Sequence, residues 1–148
     1  MRGRALNWRS IMLRNLLAAV LLLPAWAPVS MAAEGIRIEL NKLEPTDSAC
    51  RAYLLFQNNT KGDIQSLKLD LVMFNPDGII NKRLAVEGGP LPAGKTSVKL
   101  FDIDGVSCKS VHRVLLNGVL SCTDAQGEVA GCLQMIETSS RSGADFFK

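Results

Sequence analysis

The stretch LKLDLVMFNPDGIINKRLAVE, residues 67–87, decides the fold of this chain. In its first arm every second residue from Leu67 to Met73 is apolar, which is the two-residue period of a half-buried strand. Residues 75–78, Asn-Pro-Asp-Gly, then have turn composition, because proline fixes φ and glycine tolerates a positive φ. The second arm returns three residues to the apolar face: Ile80, Leu84 and Val86. The stretch is therefore predicted to form a β-hairpin.

Alternating patterns recur on both sides of this hairpin, and clusters of polar residues, glycine and proline separate them. The glycine- and proline-rich segment 88–95 is predicted to be a connection that crosses between sheets. Outside the hairpin, alternation predicts strands over residues 36–41, 50–57, 97–103, 111–122 and 132–138. Periodicity alone also allows a helix over 109–116.

The predicted inward side chains follow from the same alternation. They include Ile36, Ile38 and Leu40 in the first strand and Cys50, Ala52, Leu54 and Phe56 in the second. In the strand over 97–103 we expect Val98 and Leu100 to point inward, with a bulge where Phe101 breaks the phase.

About seven short strands with regular turn signals are typical of an all-β, antiparallel immunoglobulin-like β-sandwich. A small β-barrel is the alternative architecture. We expect one β-sandwich domain over residues 33–138, followed by a flexible polar tail over 139–148.

The first 32 residues have the three parts of a secretory signal peptide. Four arginines lie within the first 14 residues, an apolar run follows over 16–23, and Pro24 precedes small residues. We expect cleavage between Ala32 and Ala33 and a periplasmic or secreted product. The alternative is an uncleaved membrane anchor, but the run is shorter than the roughly 20 residues that span a bilayer.

Removal of this leader changes the charge of the chain. The whole sequence has 17 basic and 14 acidic residues and a net charge of +3. Without the four arginines of residues 1–32, 13 basic residues stand against 14 acidic ones, so the exported part is near neutral. Because it has no basic stripe interleaved with aromatic residues, we expect no nucleic-acid partner. Since cleavage removes the apolar run, we expect no stable membrane insertion afterwards.

The four cysteines all follow the leader, and an even number in an exported chain predicts two disulfides: Cys50, Cys108, Cys122 and Cys132. If consecutive strands are antiparallel, the connections alternate between the two ends of the domain. Of the three pairings that four cysteines allow, this alternation favours Cys50–Cys108 and Cys122–Cys132. Zinc and thioredoxin-like centres need Cys-x-x-Cys spacing, which the chain lacks.

No combination of residues identifies a reaction. His112 is the single histidine, and no nucleophile motif accompanies it. Four aspartates suggest a carboxylate cluster, but they lack the spacing of a calcium loop: Asp70, Asp77, Asp102 and Asp104. We expect no enzyme activity, no cofactor and no metal. A small periplasmic hydrolase or metal-handling protein is the alternative.

A binding or assembly role remains, because a β-sandwich offers a partner its unpaired edge strands and its loops. Three aromatic residues are candidate contacts with another periplasmic or envelope protein: Tyr53, Phe146 and Phe147. Docking of the last two on their own domain is an open alternative. We expect Phe74 and Phe101 in the core, since large aromatic side chains are usually buried.

Four segments of the chain resemble a group of small exported bacterial proteins with a single immunoglobulin-like domain: residues 50–58, 74–78, 94–96 and 99–102. The resemblance covers most of the chain after the leader, and it implies a bacterial periplasmic location. It implies no activity. Some members of the group are labelled with a twin-arginine leader, which this sequence does not have.

Overall fold

The computed structural model describes residues 34–148, so the predicted signal peptide over 1–32 lies outside the described residues. This part of the chain contains nine strands, one 3₁₀ turn and one short helix. The strands are β1 Ile36–Pro45, β2 Ala49–Asn58, β3 Ser66–Phe74, β4 Ile80–Glu87, β5 Thr96–Asp104, β6 Arg113–Asp124, β7 Gly127–Glu128, β8 Ile136–Ser140 and β9 Asp145–Phe147. The 3₁₀ turn is Cys108–Ser110, and helix α1 is Cys132–Met135.

The strands form two sheets that pack against each other. The first sheet has the order β5-β2-β1-β8, and the second has the order β4-β3-β6-β7, with β9 also paired to β6. The first, second and fifth strands thus share one sheet, and the third, fourth and sixth share the other, as in immunoglobulin-like sandwiches. Neither sheet closes on itself. The predicted all-β sandwich is confirmed, and the small barrel is wrong.

Two pairings differ from the predicted antiparallel arrangement. β1 and β8 run parallel, and so do β6 and β9. Both involve the end of the chain, where the predicted strand over 132–138 is replaced by α1 followed by β8. Gly131 precedes this helix in a left-handed conformation, with φ at 68°, which turns the chain before it enters the first sheet. The helix allowed over 109–116 is limited to the 3₁₀ turn.

The core lies between the sheets, and in β1, β2 and β3 the alternation predicts it correctly. None of these predicted inward side chains is more than 7 % exposed: Ile36, Ile38, Leu40, Cys50, Ala52, Leu54, Phe56, Leu67, Leu69, Leu71 and Met73. In β1 a shift of register between Leu40 and Lys42 brings Leu43 back against the core. This bulge extends β1 beyond the predicted first strand.

The phase of β5 is opposite to the predicted one. Val98 and Leu100 are 54 % and 50 % exposed, whereas Ile103 is buried and Phe101 packs against the core. The register between β2 and β5 is continuous, so the predicted bulge is absent from β5. In a strand without a bulge only one alternating set can face inward. Here that set contains Phe101 and Ile103.

Ile80 is a third apolar residue that the prediction places on the wrong side of its sheet. It is 60 % exposed, while Val86 in the same strand is buried. The register between β3 and β4 shifts between Met73 and Phe74, which is paired with Ile80. Because of this shift, Ile80 no longer projects to the inner face of the sheet, to which Val86 projects.

Both predicted disulfides are present. Cys50–Cys108 joins β2 to the 3₁₀ turn, and Cys122–Cys132 joins β6 to α1. The turn of the β3–β4 hairpin lies at the same end of the sandwich as the Cys50–Cys108 disulfide. The Asn81 side chain, next to that turn, donates a hydrogen bond of 2.8 Å to the Ser110 carbonyl in the 3₁₀ turn. The alternation of connections between the two ends therefore predicts the pairing correctly.

The segment predicted to be a flexible tail, residues 139–148, is instead part of the sandwich. β9 pairs with β6 in a register that sets Phe146 opposite the inward-facing Val114, and Phe146 is only 6 % exposed. Lys148 donates hydrogen bonds from Nζ to the carbonyls of Leu133, at 3.2 Å, and Ile136. The apolar Phe146 and this terminal ammonium together hold the last residues against the domain.

Candidate functional site

The most accessible binding element of the described residues is the free edge of β5. β5 is the terminal strand of the first sheet and pairs only with β2. Its other edge therefore presents backbone N–H and C=O groups without a strand partner. β5 is nine residues long and keeps one register throughout, so the edge has the geometry of a regular strand.

Apolar side chains lie along this edge on the outer face of the sheet. Cross-strand pairing sets Leu100 opposite Tyr53 and Val98 opposite Leu55. Tyr53 and Leu55 are partly buried, and Val98 and Leu100 are half exposed. We call these four residues the edge stripe. It joins exposed apolar surface to a row of unpaired backbone groups, which is the combination that an added strand requires.

An ion pair forms one border of the edge stripe. Arg51 donates two hydrogen bonds to the Asp102 carboxylate, from Nε at 2.7 Å and from an Nη at 2.9 Å. The hydrogen bond from Arg51 lowers the pKa of Asp102, and the same contact raises the pKa of Arg51. Both side chains are more than a third exposed, so solvent screens the pair and it adds little to stability. Its effect is to fix the positions of the two side chains beside the edge stripe.

The hydroxyl of Tyr53 is held on the side away from β5. It donates to a carboxylate oxygen of Glu44 at 2.5 Å, and the Lys42 ammonium lies 5.2 Å from the ring centroid. The hydrogen bond to Glu44 raises the pKa of the Tyr53 phenol. The ring is thus fixed beside Leu100 and presents apolar surface toward the edge.

On the inner side, β5 faces β4 across the open side of the sandwich. β4 ends the second sheet, so two edge strands meet here without strand pairing. Two lysines bridge them: Lys82 donates to the Asp104 carbonyl and Lys99 donates to the Gly89 carbonyl, each at 3.0 Å. The Lys82 contact occupies one carbonyl at the end of β5, so the regular free edge extends from Thr96 to Asp102.

The edge of β4 is less suited to strand addition. Its register shifts at the hairpin end, whereas β5 keeps one register throughout. The Arg83 guanidinium donates two hydrogen bonds of 2.8 Å to the buried Asp70 carboxylate, and Asn117 donates a third of 2.6 Å. These bonds, with that from Arg83 the largest cause, lower the pKa of Asp70. The Arg83 side chain is thus held on the outer face of its own sheet by its hydrogen bonds to Asp70.

The three aromatic residues predicted as partner contacts do not form one site. Tyr53 belongs to the edge stripe, whereas Phe146 is in the core, and its prediction as a contact is wrong because β9 turns it inward. Phe147 lies on the outer face of the second sheet, where the Arg113 guanidinium is 4.2 Å from its ring centroid. Phe74 lies 6.4 Å away on that face and is only partly buried, so its prediction as core is wrong.

The titratable residues considered for chemistry are dispersed. Asp70 and Asp102 each pair with an arginine, Asp77 is in the exposed hairpin turn, and His112 is exposed. Among residues 34–148 no group of three or more histidine, cysteine or carboxylate side chains is placed to hold a metal ion. No helix in that range has the length and apolarity to cross a membrane.

Val98 and Leu100 are the site residues that the sequence interpretation missed. The signal was the conflict of phase at Phe101, which the prediction resolved with a bulge. An unbroken strand resolves it by placing Val98 and Leu100 outside. Cross-strand pairing with Tyr53 would then have joined them to a residue already singled out.

Comparisons with models of protein families, with curated proteins and with solved structures found no match. Compartment is therefore inferred from the molecule itself. The two disulfides indicate an oxidising, extracytoplasmic environment, because cytosolic thiols are kept reduced.

Proposed function

We propose that this chain is a non-enzymatic exported protein that binds an extended segment of another cell-envelope protein at the free edge of β5. One observation carries the proposal: β5 is a regular edge strand with two exposed apolar side chains, Val98 and Leu100. Soluble proteins usually protect such edges with bulges or charges, since they template unwanted pairing. An edge strand that has no bulge and exposes apolar side chains supports a binding role.

The occupant is an extended polypeptide because of the chemistry of the edge. Unpaired N–H and C=O groups that alternate along a strand are satisfied together by another strand, which also lays its side chains over the edge stripe. A metabolite offers too few donors and acceptors to do this. The dispersed carboxylates and the exposed His112 support binding over hydrolysis.

A second copy of the chain fits this edge poorly. Antiparallel self-pairing centred on Leu100 would place Val98 opposite Asp102 of the other copy. Self-pairing centred on Lys99 would place two ammonium groups opposite each other, and like charges at such positions destabilise a sheet. The edge is therefore proposed to bind a different chain, and the signal peptide over 1–32 to deliver it to the bacterial periplasm or the medium.

A photocrosslinking amino acid at Leu100, compared with one at Ile80 on β4, tests the proposal in intact cells. Both side chains are exposed and both lie on edge strands, so Ile80 is a matched control. We expect Leu100 to form one discrete adduct that Val98→Lys abolishes, with the crosslinked partner peptide mapping to an extended segment. Equal crosslinking at both positions, or a turnover that depends on His112, would contradict the proposal.

A further inference from the structure

An apolar cavity lies in the core between the two sheets. Its volume is about 20 Å³, and every residue that lines it is apolar. Four of those residues come from the two edge strands: Leu84 and Val86 of β4, and Phe101 and Ile103 of β5. With no polar partner, such a cavity offers nothing to a water molecule. It can be filled favourably only by apolar atoms.

Two residues that line this cavity, Leu84 and Phe101, are also partly exposed on the edge strands. Val86 and Ile103 are buried, whereas Leu84 and Phe101 are only partly buried. Leu84 and Phe101 therefore form apolar surface on the open side, between the two lysine contacts that bridge β4 and β5. In a sandwich whose sheet continued beyond β5, this surface would be covered.

A strand added to β5 would cover it. Residues directly opposite each other in a strand pair project to the same face of the sheet. The residue opposite Phe101 would therefore point inward, toward Leu84 and the cavity, while the residues opposite Val98 and Leu100 would point outward. Both faces of the added strand would meet apolar surface of this protein.

Resting on the proposed function, we infer that the accepted segment carries a large apolar side chain on its inner face, which packs against Phe101 and Leu84, two of the residues that line the cavity. An alternating amphipathic segment would set its polar face against one of the two apolar surfaces, either the edge stripe or Leu84 and Phe101. The partner is thus an extended segment apolar on both faces at its centre. That composition is unusual for an exposed strand and gives the edge its selectivity.

Two synthetic peptides of the length of β5 test this inference with the oxidised full-length protein. They share threonine and valine on the outer face and differ at one inner position, opposite Phe101, which is leucine in one peptide and serine in the other. We expect the leucine peptide to bind about tenfold more tightly, as burial of one aliphatic side chain provides. Amide hydrogen exchange locates the bound peptide, and Leu84→Ala should remove most of the difference in affinity.

The outcomes separate this inference from the proposed function. Protection of β5 amides with a large preference for leucine supports both. Protection of β5 amides with equal affinity for the two peptides overturns the inference and leaves the proposed function standing. If neither peptide protects β5, both are contradicted. Because these three outcomes compare two peptides on the unaltered protein, they do not depend on whether the Leu84→Ala variant folds.

Discussion

β5 and β4 end the two sheets on the same side of the sandwich, yet they differ as surfaces. β5 keeps one register over nine residues and exposes Val98 and Leu100, whereas β4 has a shifted register. β4 also places Arg83 in a bidentate pair with Asp70. Bulges and charges are the usual means of preventing strand addition. Charged residues occur on both edges, so the difference lies in the unbroken register of β5 and in its two exposed apolar side chains.

The largest expected effect on stability comes from the two disulfides, each of which ties one strand of a different sheet to a neighbouring turn or helix. Replacing Cys50 and Cys108 together by serine opens a closure of 58 residues and should lower the free energy of unfolding by about 4 kcal/mol. The matched change at Cys122 and Cys132, with a separation of 10 residues, should lower it by about 3 kcal/mol. Denaturant unfolding measures both. A larger loss for the Cys122–Cys132 variant would mean that the Cys50–Cys108 disulfide contributes less to the free energy of unfolding than its loop length predicts.

The second effect concerns β9, which pairs with β6 in the second sheet. Phe146→Ala removes a buried aromatic side chain and should destabilise the protein by about 3 kcal/mol. Phe147→Ala, which removes the neighbouring surface ring, should cost about 1 kcal/mol or less. Equal thermal shifts for the two variants would show that β9 is not docked through Phe146.

The third effect tests whether the charges next to β4 are structural. Asp70→Ala removes the acceptor of three hydrogen bonds and should lower stability by about 1–2 kcal/mol. Asp102→Ala, in the exposed pair beside the edge stripe, should lower it by a smaller amount. Chemical unfolding of the two variants compares them directly. A larger loss of stability for Asp102→Ala would mean that the Arg51–Asp102 pair beside β5, and not the Arg83–Asp70 pair beside β4, is the one that stabilises the fold.

The smallest effect is the dependence of stability on pH. Because the folded protein lowers the pKa of Asp70, the unfolded state binds the proton first as pH falls. The stabilisation is complete above the unfolded pKa of about 3.9 and is lost as pH falls through the lower folded value. Asp70→Asn should therefore flatten the acid limb of the stability curve. An unchanged slope between wild type and variant would argue against the Arg83 contact.

Much of this fold follows from local patterns, because alternation and turn chemistry act over a few residues. They predict the inward faces of β1, β2 and β3, and the order of connections predicts both disulfides. The phase of β5 does not follow, because two competing apolar sets fit the same alternation. The docking of β9 also depends on a long-range pairing with β6 that its own sequence does not encode.

The candidate site was the less predictable part for the same reason. Tyr53 could be singled out as an aromatic residue on a polar strand face, but its importance depends on Leu100, 47 positions later, lying opposite it. Nothing local in the sequence marks which strand ends a sheet. Edge position is a property of the topology, and only the assembled sheet reveals it.

The central claim is that β5, and not β4, is the binding edge, and hydrogen exchange in the isolated complex tests it most directly. The partner captured through Leu100 would be purified with the uncrosslinked protein, and amide exchange compared between the free and bound states. We predict strong new protection of amides in Thr96–Asp102, with β4 unchanged. New protection confined to β4, or to the outer face of the second sheet around Phe147, would contradict the account.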